Sequence, residues 1–358
     1  MSSQNAEDSY PLSSVQEHIL LHSQKAPHSG VYVQQLVGTL REELDVFAFQ
    51  QAWQQVMGRH AALRTSFHWP GMQEPVQKVH QQVDLPFVEH DWQGLPAREQ
   101  ANQLQSYLRT DRRRGVEFTE APLMRLALFR MDVKDHTFVW TFHRALLDDY
   151  SCALVLRDLF AVYDGPCQLQ GIGLDQPRPY RDYTHWLAKQ DLSHAERFWR
   201  RLLARFTAPT PLVVDRARDT HPDAEEGYQR QSIHLSEGLT SDLYTLAEDN
   251  QLTASTVLQG AWAMLLSRYS GEQDVVFGCT RSCRRSAFDG QGADAIVGPV
   301  VNTLPLRAHV PPAMPLLPWL KELQSQWDRL QDYEHTPLEK IQEWSDVPPG
   351  ECLFDSTV

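Results

Sequence analysis

One stretch of the sequence decides how the rest is interpreted, and it is Phe142-His143-Arg144-Ala145-Leu146-Leu147-Asp148-Asp149-Tyr150. It follows an apolar run typical of a strand and precedes a run typical of a helix. Such turns are places where a rigid scaffold commonly presents reactive side chains. His143 could move protons near neutral pH. Arg144, as a permanent cation, can bind an anion but cannot act as a base. Taken alone, the stretch fits a salt-bridged loop better than a catalytic centre.

The residues on either side of this stretch predict a hairpin and a helix. Segments 123–131 and 136–142 are apolar and are separated by the polar turn Asp132-Val133-Lys134-Asp135, which indicates two antiparallel strands. After the stretch, apolar residues recur at helical spacing. The predicted core face of that helix is Leu156, Leu159, Phe160 and Tyr163.

Three further helices are predicted from apolar residues at helical spacing. One follows the N-cap Asp45, one begins at Ser193 with Glu196 completing a capping box, and one follows Thr253. Their predicted core faces are Phe49, Ala52, Trp53, Val56 and Met57; Ala195, Phe198, Trp199, Leu202 and Leu203; and Val257, Leu258, Ala261, Trp262 and Leu265.

Two more segments, 274–278 and 297–306, are rich in β-branched residues and predict strands. Because strands and helices mix without strict βαβ alternation, we expect an α+β fold with helices flanking mixed or antiparallel sheets. A chain of 358 residues is long enough for about two cores. The Pro-rich run Gln176-Pro177-Arg178-Pro179 predicts the boundary, which gives domains of residues 1–176 and 177–358.

Composition narrows the function classes. With 33 basic and 46 acidic residues, the formal charge is -13, which disfavours nucleic acid and anionic membranes as partners. The five cysteines are scattered without CxxC spacing, so the sequence predicts neither a disulfide framework nor a zinc site, and favours a reducing cytoplasmic setting. The polar amino terminus lacks a secretory h-region, and no apolar run is long enough to cross a bilayer. GxSxG, HExxH and Walker-type motifs are absent from the sequence.

Six separated blocks resemble the condensation domains of nonribosomal peptide synthetases, which share a fold with chloramphenicol acetyltransferase. Five match in order and at familiar separations, and the sixth matches more loosely. They begin Tyr10-Pro11-Leu12-Ser13, Arg59-His60-Ala61-Ala62-Leu63-Arg64, Phe142-His143, Tyr180-Arg181-Asp182-Tyr183, Val297-Gly298-Pro299 and Tyr333. The third is the active-site block, written H-H-x-x-x-D-G in the family.

The resemblance implies a fold and an activity. The fold would be two chloramphenicol acetyltransferase-like lobes in a V shape, with a tunnel between them. The second lobe would be truncated, because residues 353–358 resemble the start of a strand after which complete members continue. The activity would be amide bond formation between acyl or aminoacyl thioesters held by donor and acceptor carrier proteins beside an adenylation domain. Because the phosphopantetheine arms belong to the carriers, the domain itself would bind no cofactor or metal.

The resemblance also implies a role for each matching residue. His143 matches the first motif histidine, which is mainly structural, and Arg144 matches the second, the usual base or amine-positioning group. Asp148 matches the aspartate that typically pairs with an arginine, here Arg284. Asp149 replaces the motif glycine. The residues expected to floor the tunnel are Asn302 and Thr303.

Arg144 and Asp149 therefore both depart from the family motif. We expect the guanidinium to pair with Asp149 or Asp148 and partly fill the place of the acceptor amine, because a buried unpaired charge is costly. Three interpretations stay open: a condensation domain with impaired activity, a noncatalytic condensation-like module, or an inactive truncated remnant. The noncatalytic module would dock carrier proteins or recruit a tailoring haem oxygenase, since H-R-x-x-x-D-D resembles such a domain of glycopeptide synthetases.

Overall fold

The structure is a computed structural model that describes residues 6–69, 75–165, 176–212, 231–313 and 315–358. The chain divides into two compact units. The first unit is Met1–Lys189 with Ala287–Val300, and the second is Gln190–Ser286 with Val301–Val358. The first unit extends past the boundary expected at residue 176 because the helix Tyr180–Leu187 packs on its first strand. Among the described helices, we find none with the length and apolar character needed to cross a bilayer.

The first unit alternates strands and helices without a regular βαβ repeat. In chain order its elements are β1 (Ala6–Pro11), α1 (Ser14–Lys25), β2 (Val33–Leu40), α2 (Val46–Arg59), a 3-10 turn (Ala61–Arg64), β3 (Thr65–His68), β4 (Val76–His80), β5 (Phe87–Asp91), α3 (Ala97–Arg114), β6 (Met124–Asp132), β7 (Asp135–His143), α4 (Asp149–Asp164) and α5 (Tyr180–Leu187).

A mixed four-stranded sheet in the order β2-β7-β6-β5 positions the decisive stretch. Strands β6 and β7 form the predicted hairpin, β2 runs antiparallel to β7, and β5 runs parallel to β6. Strand β7 ends at His143, which lies opposite Val33 of β2. The motif therefore starts at the last residue of an interior strand. A second, antiparallel sheet has the order β1-β4-β3.

Helices α2 and α4 pack against each other in the core of this unit. The α2 prediction is confirmed: Asp45 Oδ1 accepts the backbone N–H of Ala48, and the five predicted core residues are buried. The predicted face of α4 is confirmed at Leu159, which is buried, and in part at Leu156 and Tyr163, which are half-buried and pack against the core. The buried residues of α4 are Ser151, Cys152, Leu154, Val155, Asp158, Leu159 and Val162. The helix is rotated because the polar side chains of Ser151 and Asp158 bind groups in the interior.

The second unit contains α6 (Ser193–Leu202), α7 (Glu237–Asp249), α8 (Ala254–Ser270), β8 (Asp274–Ser282), β9 (Val301–His309), α9 (Leu316–Arg329) and α10 (Leu338–Trp344). Strands β8 and β9 pair antiparallel over their full lengths. At the other edge of β8, Thr357 forms a parallel bridge with Gly278. The predicted strand over 297–306 begins only at Val301, because the amides of Gly298 and Val300 bind side chains instead of a neighbouring strand.

Two helix predictions in the second unit need correction. Helix α8 does begin after the N-cap Thr253, but its buried residues are Thr256, Gln259, Gly260, Ala263 and Leu266. A Cβ on Gly260 would lie 2.4 Å from a methyl of Leu320, so α9 packs on the small-residue face, and Leu258 is 58% exposed. The predicted capping box of α6 is also absent, because the Ser193 hydroxyl donates to Asp191. The buried residues Ala195, Trp199 and Leu203 agree with the prediction.

Candidate active site

His143 is a buried, neutral, fully hydrogen-bonded side chain. Its Nδ1 accepts the backbone N–H of Ala145 at 3.3 Å, so the ring proton is on Nε2, which lies 3.0 Å from Ser23 Oγ. The Ser23 hydroxyl in turn donates to the carbonyl of Ile19 at 2.8 Å. Burial lowers the pKa of His143 to about 3. With both ring nitrogens engaged inside the protein, His143 is suited to a structural role and not to proton transfer.

Arg144 forms a two-contact ion pair with Asp149. Its Nη1 and Nη2 lie 3.2 and 3.4 Å from the two carboxylate oxygens. The pair is not buried as expected, because the Asp149 side chain is 86% exposed and that of Arg144 is 27% exposed. An exposed pair of this kind contributes at most about 1 kcal/mol. The backbone N–H of Arg144 donates to the carbonyl of Tyr32 at 2.9 Å, which fixes the main chain more firmly than the side chain.

Asp148 uses both carboxylate oxygens to hold backbone groups. Its Oδ1 caps α4 by accepting the N–H of Ser151 at 2.8 Å, and its Oδ2 accepts the N–H of Val300 at 3.0 Å. The side chain is buried, so these bonds fix the turn between β7 and α4 to the loop 297–300. The expected pairing with Arg284, which is buried in the second unit, stays a prediction.

Ser151 and Gly298 form a reciprocal pair of hydrogen bonds. The Ser151 hydroxyl donates to the Gly298 carbonyl at 2.8 Å and accepts the Gly298 N–H at 3.0 Å. A Cβ on Gly298 would lie 2.1 Å from the ring of Tyr180, so only glycine lets the loop approach this closely. The Tyr180 hydroxyl donates to Ser13 Oγ at 2.9 Å. Residues of four of the blocks, the first, third, fourth and fifth, therefore meet at the start of α4.

The first block joins the same network through Gln16. Ser13 and Gln16 form a capping box at the start of α1, in which each side chain bonds the backbone N–H of the other. The Gln16 amide also donates to the carbonyl of Ala145 in the motif turn, at 3.0 Å. Sequence reasoning missed Gln16, Ser23 and Ser151. The S-x-x-Q pattern was the available signal for Gln16.

The second block contacts α4 two turns further along, through buried Asp158. Arg59 Nε and His60 Nε2 lie 2.8 and 3.0 Å from Asp158 Oδ2. Burial alone would raise the pKa of Asp158, but hydrogen bonds from His60, Arg157 and Arg59 hold it below its usual value. Burial lowers the pKa of His60. The carboxylate thus stays charged and anchors α4 to the end of α2.

The site residues predicted in the second unit hold a loop to β9. The Asn302 amide donates to the carbonyls of Glu334 and Thr336 at 2.9 and 2.7 Å, and its oxygen accepts the N–H of Thr303. The Thr303 hydroxyl lies 3.4 Å from that of Thr280 on β8. Asn302 is buried and its amide is fully used, so in this unit it supports the backbone and offers no free group.

The chemistry open to the motif follows from these contacts. Of its four candidate side chains, His143 and Asp148 are consumed by internal hydrogen bonds, and Asp149 is paired. Arg144 can donate hydrogen bonds and positive charge but cannot accept a proton. The arrangement can therefore orient groups and stabilise negative charge, while it lacks the proton acceptor that a second motif histidine would supply.

Comparison with known proteins gives the chain its family. A family model described as "Condensation domain" matches residues 6–358. A linear gramicidin synthase from Brevibacillus parabrevis is 42% identical over 350 residues, which are 98% of this chain and 4% of that protein. Surfactin synthase subunit 3 of Bacillus subtilis is 30% identical, over 97% of this chain and 27% of the relative. The chain thus spans only a small part of the curated relatives it matches.

Solved structures agree at the level of the fold. The starter condensation domain of rhizomide synthetase RzmA, crystallised with C8-CoA and Leu-SNAC, superposes with a TM-score of 0.80 at 24% identity, over 98% of this chain and 77% of that one. The first condensation domain of the calcium-dependent antibiotic synthetase gives a TM-score of 0.75 at 20% identity, over 98% and 80%. The mixed α+β architecture is shared by both. With a family model that covers residues 6–358, the chain belongs to the condensation domain family of nonribosomal peptide synthetases.

Proposed function

We propose that this condensation domain joins two carrier-bound thioesters through an amide bond, at a rate lowered by Arg144 and Asp149. The observation that carries the proposal is the complete framework around the motif turn. Asp148 holds both of its backbone partners, and His143 is fixed on both ring nitrogens, although two neighbouring motif positions have changed. A turn kept in shape in this way can still position substrates.

The reaction makes modest demands on the protein. The acceptor amine attacks the donor thioester carbonyl, a C–N bond forms, the C–S bond breaks, and the amine proton finally leaves to solvent or to the thiolate. Because a thioester is already activated, holding two tethered substrates together can supply much of the rate. Arg144 is suited to stabilise the oxyanion that develops on the carbonyl. General base catalysis, typically worth about 10²–10⁴-fold, would be missing.

The partners of this reaction follow from the family. The synthases that this chain resembles are many times longer than the chain itself. We infer that donor and acceptor carrier proteins bring the substrates on phosphopantetheine arms and that an adenylation domain lies nearby. The scattered cysteines of the described residues form no disulfide with one another, which favours a cytoplasmic location. The relatives give no support for a tailoring haem oxygenase as partner, and we do not propose it.

A noncatalytic module that docks carrier proteins is the second candidate. The Arg144–Asp149 ion pair favours it, because that pair puts a cation where the family motif has an imidazole. Such a module would keep the fold and the carrier interaction while it lost bond formation. The two candidate functions predict different product formation but the same carrier binding. Product formation and carrier binding therefore both have to be measured.

Single-turnover amide formation with loaded donor and acceptor carriers tests the proposal. The proteins compared are the natural chain, Arg144→His, Arg144→His with Asp149→Gly, and Arg109→His as a matched control on α3. We expect slow product from the natural chain and the control, and product formed about 10²–10⁴-fold faster by the double revertant. Product from the revertants alone, with carrier binding retained by all four proteins, would instead establish the docking module. Equal rates in all four would contradict the assigned cost of Arg144 and Asp149.

A further inference from the structure

We propose that a cavity beside His143 in the first unit receives the apolar side chain or acyl tail of a carrier-bound substrate. The inference rests on the proposed function and adds the chemical class that the site accepts. The cavity has a volume of about 290 Å³ and lies between the end of α1, the start of β2 and the loop that follows α3. It is lined entirely by residues of the first unit.

The surface of the cavity is more apolar than polar, and five apolar side chains contribute to it. They come from three separate segments of the chain, and they are Pro27, Val31, Val33, Val116 and Phe118. Val33 is buried, and Val116 and Phe118 pack against the main core of the unit. A ligand that fills this space is therefore held mainly by the burial of apolar surface.

The polar groups at the inner end of the cavity need no hydrogen bond from a ligand. His143 and Ser23 line this end, but they bond each other at 3.0 Å. The remaining ring nitrogen of His143 accepts a backbone N–H, and the Ser23 hydroxyl donates to Ile19. Because these hydrogen bonds are satisfied inside the protein, an alkyl or aryl group can contact both residues without leaving a polar atom unpaired.

Exposed residues of the lining set the charge of the ligand. Arg114 and Glu117 carry opposite charges, and His28 and Gln24 complete the polar part of the lining. The Glu117 carboxylate also accepts the hydroxyl of Thr119 at 2.8 Å. Since the fixed charges of Arg114 and Glu117 balance, the cavity favours a neutral ligand over an anionic or cationic one.

The cavity wall is joined directly to the motif. Tyr32, between the lining residues Val31 and Val33, accepts the backbone N–H of Arg144 at 2.9 Å. Tyr32 has a φ of 58°, a backbone conformation that residues other than glycine rarely adopt, and Gly30 has a φ of 73°. The segment with this unusual backbone forms one wall of the cavity, and its Tyr32 carbonyl is bonded to the backbone N–H of Arg144. A group bound in the cavity would thus lie next to the residues that position the reacting centre.

The volume sets the size of the group. About 290 Å³ corresponds to the liquid volume of roughly ten water molecules. That space suits roughly eight to ten non-hydrogen atoms, the size of a medium acyl chain or an aromatic side chain. Each methylene buried in such a site should tighten binding by roughly fourfold until the space is full.

Calorimetric titration of the full chain with neutral N-methylamides tests the proposal. The probes are N-methylbutanamide, N-methyloctanamide and N-methyldodecanamide, with octanoate as the charged comparison. We expect affinity to rise from four to eight carbons and then stop rising, with octanoate weaker than N-methyloctanamide. Equal affinity for all chain lengths, or no binding, would overturn the proposal.

A pair of variants localises the binding. Val116→Phe should fill the cavity and weaken N-methyloctanamide binding at least tenfold, whereas Val88→Phe, on the exposed side of β5, should leave it unchanged. Methyl NMR shifts of Val31, Val33 and Val116 in the natural chain give an answer even if Val116→Phe fails to fold. Shifts confined to other methyl groups would overturn the proposal.

Competition separates this inference from the proposed function. N-methyloctanamide should slow single-turnover amide formation in proportion to its occupancy of the cavity. Binding without any slowing would overturn the substrate assignment and leave the proposed function standing. Amide formation that is absent from every variant, while N-methyloctanamide still binds as expected, would overturn the proposed function and leave the cavity as an apolar ligand site.

Discussion

The guanidinium of Arg144 lies 3.2 and 3.4 Å from the two carboxylate oxygens of Asp149, so the two positions predicted to depart from the family motif bind each other. Asp149 is also the first residue of α4, where a negative charge favours the helix dipole. The pair is weak because its Asp149 side is exposed, so its partners can separate when a substrate arrives. The motif thus keeps a cation at position 144 without locking it in place.

The framework of the turn predicts a large stability cost for Asp148→Ala. This substitution removes the cap of α4 and takes the carboxylate acceptor from the buried N–H of Val300, which keeps its bond to the Gly298 carbonyl. We expect the free energy of unfolding to fall by about 2–4 kcal/mol, measured by urea titration of the full chain. The neighbouring Asp149→Ala is the control and should cost less than about 1 kcal/mol. Similar costs for both variants would contradict the assigned roles.

Ser23→Ala tests how His143 is held. The substitution leaves the buried Nε2–H of His143 without an acceptor, so we expect a loss of about 1–3 kcal/mol in the free energy of unfolding. In ¹⁵N NMR spectra, the natural chain should show the Nε2–H tautomer of His143. Ser29→Ala is the matched control, because Ser29 bonds a backbone carbonyl in an exposed turn. A natural chain with the proton on Nδ1 would refute the hydrogen-bond assignment.

Gly298→Ala should be destabilising for reasons of space alone. The added Cβ would lie 2.1 Å from Tyr180, whose ring is buried and whose hydroxyl is bonded to Ser13. We expect a loss of about 1–3 kcal/mol. Gly58→Ala, near the end of α2, meets no atom within 4 Å and should be neutral or stabilising by about 0.5–1 kcal/mol. Thermal unfolding of both variants checks the contrast, and a stabilised Gly298→Ala would rule out the close packing described.

Acid should destabilise the protein partly through His143. Burial lowers its pKa from 6.5 to about 3, so between these pH values the unfolded chain binds a proton that the folded chain does not. Stability therefore falls as the pH drops through this window, by about 1.4 kcal/mol per pH unit for one such group. Burial also lowers the pKa values of His60, His68, His80 and His335, so a difference measurement is needed.

The variant His143→Gln supplies that difference. Glutamine cannot titrate, and its amide can still donate toward Ser23. Unfolding free energies measured from pH 7 to pH 4.5 should show a slope shallower by about 1.4 kcal/mol per pH unit near pH 5 than in the natural chain. Equal slopes for the two proteins would mean that His143 titrates normally in the folded state.

The sequence predicted those elements whose pattern is local. Helix α2 with its Asp45 cap and the β6–β7 hairpin follow from spacing and turn residues that lie close together in the chain. The apolar pattern found only part of the core faces of α4 and α8, because it missed the polar and small residues that are buried there. Asp158 is buried because Arg59 and His60 surround it, and Gly260 is buried because α9 packs closely there. Both causes lie far away in the sequence.

In the candidate site, too, local features could be predicted and features set by distant residues could not. The resemblance predicts roles for His143, Arg144 and Asp148, and these roles stay predictions. The pairing of Arg144 with an aspartate follows from charge and is confirmed. The supports of these residues were missed, because Ser23 is 120 residues away from His143. The exposure of the Arg144–Asp149 pair also depends on how the turn leaves β7. One-dimensional patterns do not carry that information.

The central claim is that residue 144 holds a cation where the family motif has a proton acceptor, and a pH series tests it most directly. Single-turnover amide formation by the natural chain and by Arg144→His is measured from pH 5.5 to pH 8.5, and the two rate constants are divided so that titration of the amine substrate cancels. We predict a ratio of Arg144→His to natural chain that rises with pH through the range where histidine loses its proton and then levels off above one. A ratio that stays at one across the whole series would contradict the claim.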